Sequence, residues 1–138
     1  MRPLLLDEVA AYIAASSTFF AVGSSTSKTS IWKSQFPIER PNTAVALYET
    51  GGLPPSYRYD TVDHERPGVQ VISRSTSYVT ARQNAQRIWK LLATVENSTL
   101  SGVRYINITP SQSPFPIGSD AENRFLISSN FIAGKATT

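Results

Sequence analysis

The spacing of apolar and polar positions changes period along this chain, and the clearest change lies within 67–95. Val69 and Val71 alternate with Gln70 and Ile72 just after Pro67-Gly68, which predicts a short strand. The cluster Ser73–Ser77 breaks it, and Ser77 is placed to cap a helix, because its hydroxyl can accept from an N–H of the first turn. From Tyr78 the period becomes helical. Tyr78, Ala81, Ala85, Ile88, Leu92 and Val95 fall on one stripe, widened by Trp89, with Arg82, Gln83, Gln86, Arg87 and Lys90 opposite. The small Ala81 and Ala85 let the helix axis approach a sheet closely, while Ile88, Trp89 and Leu92 fill the wider gap beyond.

Weaker patterns flank this unit. Residues 4–22 predict a first helix, with Leu5, Val9, Tyr12 and Ile13 on one face and Asp7 and Glu8 at the favourable end of the helix dipole. The polar run 24–30 is a loop, and Ile31, Trp32 and Phe36 are apolar anchors within loop structure. Residues 44–48 are apolar on both faces, which suits a strand covered on both sides or held at an interface. Gly51-Gly52 ends that strand, and 53–66 forms a long polar connection.

Residues 97–102 form a loop. In 103–109, Val103, Tyr105 and Asn107 share one face and Arg104, Ile106 and Ile108 the other. Residues 110–122, rich in proline, make a second long loop, 124–132 the last strand, and 134–138 a frayed tail. The expected fold is α+β: a sheet of about four mostly antiparallel strands, two helices on one face, and long loops at the sheet ends. The last two strands are expected to be antiparallel neighbours, and 1–138 a single domain.

Composition narrows the chemistry. The chain has no cysteine, which excludes disulfides and thiolate metal sites, and His64 is its one histidine, which excludes a histidine-rich metal site. A formal net charge of +3 with scattered basic residues is a weak footprint for nucleic acid. Leu4-Leu5-Leu6 runs at once into Asp7-Glu8, and no apolar stretch approaches the ~18 residues of a membrane span, so neither a signal peptide nor membrane contact is expected. Gly51-Gly52 lacks the spaced glycines and lysine of a phosphate cradle. Asp60, Asp63, His64 and Glu65 sit in a loop between Arg58 and Arg66, which suits a solvated cluster better than a metal or acid–base site. Arg82, Arg87 and Lys90 read as a solvated helix face. No catalytic, cofactor-binding or metal residue is expected, and no enzyme.

The order of several short motifs resembles a known family. Pro41-Asn42-Thr43-Ala44-Val45, then Tyr48-Glu49-Thr50-Gly51-Gly52-Leu53-Pro54-Pro55, is similar to the first strand and its exit in the bacteriophage minor-capsid, or tail-terminator, family. Arg66–Val71 followed by Tyr78, Ala81, Ala85, Ile88 and Leu92 resembles its second strand and crossing helix. Gly102–Tyr105, Gln112-Ser113-Pro114, Gly118 and Asn123-Arg124 resemble its closing hairpin. Asn42 stands where that pattern carries an acidic residue, and the polar loop 24–30 is longer than the pattern has.

The resemblance implies a structural virion protein of long-tailed phages. It would form a homo-oligomeric, six-fold ring that caps the tail tube and joins tail to head, in the tail or neck of the virion and in the host cytoplasm during assembly. Its partners would be further copies of itself, the tail tube protein and a head–tail connector, with DNA only passing through the lumen, and no cofactor. Interface residues are then expected in the first loop (Tyr57, Arg58, Tyr59, Asp60), on the second helix (Arg82, Arg87, Lys90) and in the second loop (Pro114, Phe115, Ile117). Two alternatives remain at this stage: another neck or head-completion connector, and a small nucleic-acid-binding domain.

Overall fold

The computed structural model describes residues 5–22, 29–36, 42–58, 61–100 and 102–136, and of 52–58, 61–64 and 136 the backbone alone. The elements are α1 (Leu5–Ser16), β1 (Phe20–Val22), β2 (Thr29–Lys33), β3 (Ala44–Arg58), β4 (Thr61–Ser75), α2 (Tyr78–Ala93), β5 (Glu96–Leu100), β6 (Val103–Pro110), β7 (Phe115–Ser119) and β8 (Phe125–Ala136). The strands form one mixed sheet in the order β1-β2-β3-β4-β8-β6-β5, with β7 added along β8. β1, β2 and β3 run parallel to one another, and all other pairs are antiparallel.

Among the described residues the sheet therefore has eight strands, not about four, and the expected long loops are largely strand. Each difference has a local cause. The first helix stops at Ser16 because the Ser17 hydroxyl takes the Phe19 N–H at 3.1 Å, a bond that competes with the helical carbonyls, and Phe20 enters the sheet instead. Ile31 and Trp32, expected in a loop, pair in β2 with Val45 and Ala46. Gly51-Gly52 does not end β3. The register shifts there, between Thr50 and Leu53, and again across Pro54-Pro55, between Leu53 and Ser56. Proline cannot donate to a ladder, but β2 reaches only as far as Leu47, so this part of β3 lies at an edge where prolines are tolerated. Residues 53–66 thus form the outer half of a β3–β4 ribbon.

At the other end, Gly102 (φ +83°) makes the turn between β5 and β6, and Gly118 (φ +116°) sits at a register shift in β7; both backbone conformations suit a residue without a Cβ. A further shift in β6, between Tyr105 and Asn107, changes the facing of its side chains: Tyr105 and Ile108 are both buried, while Asn107 is exposed. The strict alternation expected for 103–109 fails at that bulge. β6 and β8 are antiparallel neighbours. β8 runs on to Ala136, so 134–136 is paired strand and not frayed tail.

Both helices cover the sheet face that carries Val45, Leu47, Val69, Val71 and Phe131, giving one apolar cluster that spans Leu5 to Ala133. α2 begins as its sequence predicts: the Ser77 hydroxyl accepts from the Thr80 N–H at 3.4 Å. Ala81 and Ala85 meet Ile127, and Ile88 and Leu92 enter the main core. Tyr78 does not belong to the buried stripe. It is 43% exposed at the first turn and sets its ring edge-on to Phe125, centroids 5.7 Å apart. Within the core, Glu8 is fully buried; its Oε1 accepts from Lys135 Nζ at 2.7 Å and from the Tyr105 hydroxyl at 3.2 Å, joining α1 to β8 and β6.

Candidate assembly surface

Among the described residues, no helix lies on the opposite face of the sheet. Along one cross-strand row stand Trp32, Ala46, Ile72 and Ser128, so large and small side chains alternate and the tall ones shelter the short ones. Ala44, Ala46 and Ser128 are fully buried, while Trp32, Tyr48, Ile72 and Leu126 remain half-exposed. This explains why 44–48 is apolar on both sides: one face is core, and the other is a shallow apolar floor.

That floor holds a hollow of about 370 Å³ lined by Phe36, Tyr48, Ile72, Arg74, Arg124 and Leu126, with Asp120, Ala121 and Glu122 at its rim. Arg74 is 2% exposed, and its guanidinium lies 4.4 Å from the centre of the Phe36 ring. Burial pulls its pKa down, and the neighbouring Arg124 adds to this. The rim is a rigid turn between β7 and β8. Asp120 Oδ1 accepts from the N–H groups of Glu122 and Arg124, both at 3.0 Å, and Oδ2 accepts from Arg124 Nε at 2.8 Å. Burial works to raise the Asp120 carboxyl, but the hydrogen bonds from Arg124 and Glu122 outweigh it and hold the group below the usual carboxylate value. Asn123 closes the turn with φ +58°.

Of the residues expected at an interface, the structure brings Arg82 and Pro114 together. Tyr57 and Arg58 lie in the outer ribbon, their backbones in register with Val62 and Thr61; Tyr59 and Asp60 fall outside the described residues. Arg82 donates to the Pro114 carbonyl and so ties α2 to the segment before β7. Arg87 donates to Asn84 Oδ1 at 3.2 Å and stacks 3.9 Å over Phe19. Both arginines thus bind within the subunit, and Lys90 alone of the three is exposed. Pro114 is buried, Phe115 half-buried and Ile117 44% exposed. With Tyr78, Val79 and Phe125, Ile117 completes the exposed large apolar residues around the start of α2 and the β7–β8 pair.

The sequence reading missed the hollow. Its residues come from four separated stretches: Phe36 reads as a loop anchor, and Tyr48, Ile72 and Arg124 only as parts of strands or short motifs. The one available signal was the two-sided apolar pattern of 44–48, which marks a second covered face without saying what meets there. Among the described residues no helix is long and apolar enough to cross a membrane, and no three His, Cys, Asp or Glu side chains are grouped to hold a metal ion.

Comparison with known proteins places this fold. A family profile described as "Bacteriophage tail terminator protein" matches residues 26–136. No curated protein sequence matches the chain. Among solved structures, a chain of the "Virion of native gene transfer agent (GTA) particle" shares the fold with a TM-score of 0.58; the match covers 77% of this chain and 78% of that one at 14% identity.

Proposed function

This chain belongs to the bacteriophage tail terminator family, and from that premise we propose that it closes the finished tail tube as a homo-oligomeric ring of six subunits and offers the ring's far side to the head–tail connector. As a member of the family it is a structural, tail-terminating protein of the virion tail. The observation that carries the reading is the family match, which takes in every strand from β2 to β8 and all of α2. The chain acts as one domain, 1–138, and by binding geometry without catalysis.

A cap has two tasks. One side must complement the last tube ring, and the other must refuse a further tube subunit, so a terminator needs chemically unlike surfaces. Two unlike faces support this reading: a helix layer on one face of the sheet, and on the other an apolar floor with the ribbon of β3 and β4 beyond. A closed ring also requires head-to-tail contact between different patches of the same chain. DNA passes through the lumen and is not read.

Deleting the gene tests the reading by electron microscopy of lysates. Filled heads without tails, together with tubes of irregular or excessive length, are expected. Infectious particles with tails of normal length would refute the assignment. Tails of normal length that fail to join heads would move it to a neck connector.

A further inference from the structure

The two halves of α2 rest on different floors. In the second half, Ile88 and Leu92 belong to the main apolar cluster with Val69, Val71 and Phe131. In the first half, Ala81 and Ala85 form a separate small cluster with Ile127. Around Ile127 the helix side of the sheet is polar. Ser73 pairs with Ile127 and Ser129 with Val71, and Ser75 lies two residues beyond Ser73, so all three serines share that side. Each is buried, as is Asn84 on α2, 2% exposed. Ser75 has partners in the Thr43 hydroxyl and the Ser77 N–H. Ser73 Oγ, Ser129 Oγ and Asn84 Nδ2 make no hydrogen bond among the described residues. Orphaned polar atoms thus come from β4, β8 and α2 itself.

We propose that residues 78–87 are a detachable segment of α2, which lifts from the sheet as a unit while 88–93 stays docked. Lifting returns the orphaned atoms of Ser73, Ser129 and Asn84 to water, which favours the open form. It gives up the burial of Ala81, Ala85 and part of Ile127, a small apolar area that opposes opening only weakly. The same movement beyond residue 87 would strip Ile88 and Leu92 from the core, so the opening stops there. What holds the segment shut is lateral. Arg82 donates to the Pro114 carbonyl, Arg87 lies over the Phe19 ring, and Tyr78 sets its ring against Phe125. Phe19, Tyr78 and Phe125 are all exposed, so these clasps form in competition with water. The movement reshapes the corner that carries Tyr78, Val79 and Phe125 and leaves the main core intact. Segments that move on binding or switching are drawn from such low-stability parts of a fold. The device stands independently of the ring reading.

Native-state hydrogen exchange on the free subunit tests this. Amides of 82–85 lie further from the start of α2 than those of 89–92 do from its end, so ordinary fraying would quicken the second group. The detachable segment reverses that order: 82–85 should exchange about tenfold or more faster than 89–92. Asn84→Leu with Ser129→Ala replaces two of the orphaned groups by apolar ones. It should slow 82–85 about tenfold or more, towards the rate of 89–92, without lowering the unfolding midpoint. Arg82→Ala removes one clasp and should quicken 82–85 while 89–92 stay as they are. Equal or greater protection of 82–85 in the wild-type chain would overturn the proposal. A folded double variant with faster exchange at 82–85 would overturn it as well, because the polar groups would then be holding the segment through water.

Discussion

Glu8 shows what a pattern of polar and apolar positions cannot express. In the sequence it reads as an exposed first-turn acid; in the fold it is the centre of a buried set with Lys135 and Tyr105. Only the position of residue 135, set by the full length of β8, reveals this, and that stretch looked like a loose tail. Removing one partner leaves the other charge buried and uncompensated, so Glu8→Ala should cost about 3–5 kcal/mol of unfolding free energy in urea. The paired replacement Glu8→Met with Lys135→Met should recover most of that loss. Asp120 makes a different forecast, in pH. Its carboxyl titrates lower in the folded chain than in the unfolded one, so its contribution is complete above the ordinary carboxylate value and is lost as pH falls through the depressed one. Asp120→Asn should therefore lose about 1–2 kcal/mol at neutral pH and show a flatter acid limb in stability against pH.

Elements were legible in proportion to their own patterning. α2 carried its cap, its small-residue approach and its apolar stripe in consecutive residues, and all but Tyr78 lie as expected. Ile88→Asp should lower stability by about 3–5 kcal/mol, as an unpaired carboxylate in the core does. Gln83→Asp on the exposed side should be close to neutral; Arg87, which stacks on Phe19, is not a silent control. The strands β1, β2, β5 and β7 were not legible, because each is short and owes its structure to a neighbour far along the chain or to a turn glycine. The ribbon misled for another reason: Gly51-Gly52 and Pro54-Pro55 ordinarily stop a strand, and here they are taken up as register shifts. Beyond His64, the last β4 residue paired with β8, the ribbon has two strands, an arrangement marginal in water. Amides of 53–58 and 61–63 should exchange markedly faster in the free subunit than those of 69–75, and slow in the proposed ring. Equal protection before and after assembly would remove the ribbon from the interface.

For the whole molecule, the order of several weak motifs pointed to the family, while the hollow on the sheet's second face stayed out of sight. The hollow is assembled from the segment after β2, from β3, β4 and β8, and from the β7–β8 turn, and no local spacing brings Phe36, Arg74 and Arg124 together. The sheet order also has a consequence in time. β8, the last strand, lies inside the sheet between β4 and β6, so those two strands cannot be joined until it arrives. The clasp between Lys135 and Glu8 spans 127 residues of chain. Contacts of such separation make loop closure dominate the search for the native state and place a domain of this kind among the slow folders, milliseconds to seconds. Until β8 docks, both the core and the helix-free face are incomplete, so in the ring proposed above a half-made subunit would have no finished surface to offer, and assembly would be restricted to finished chains.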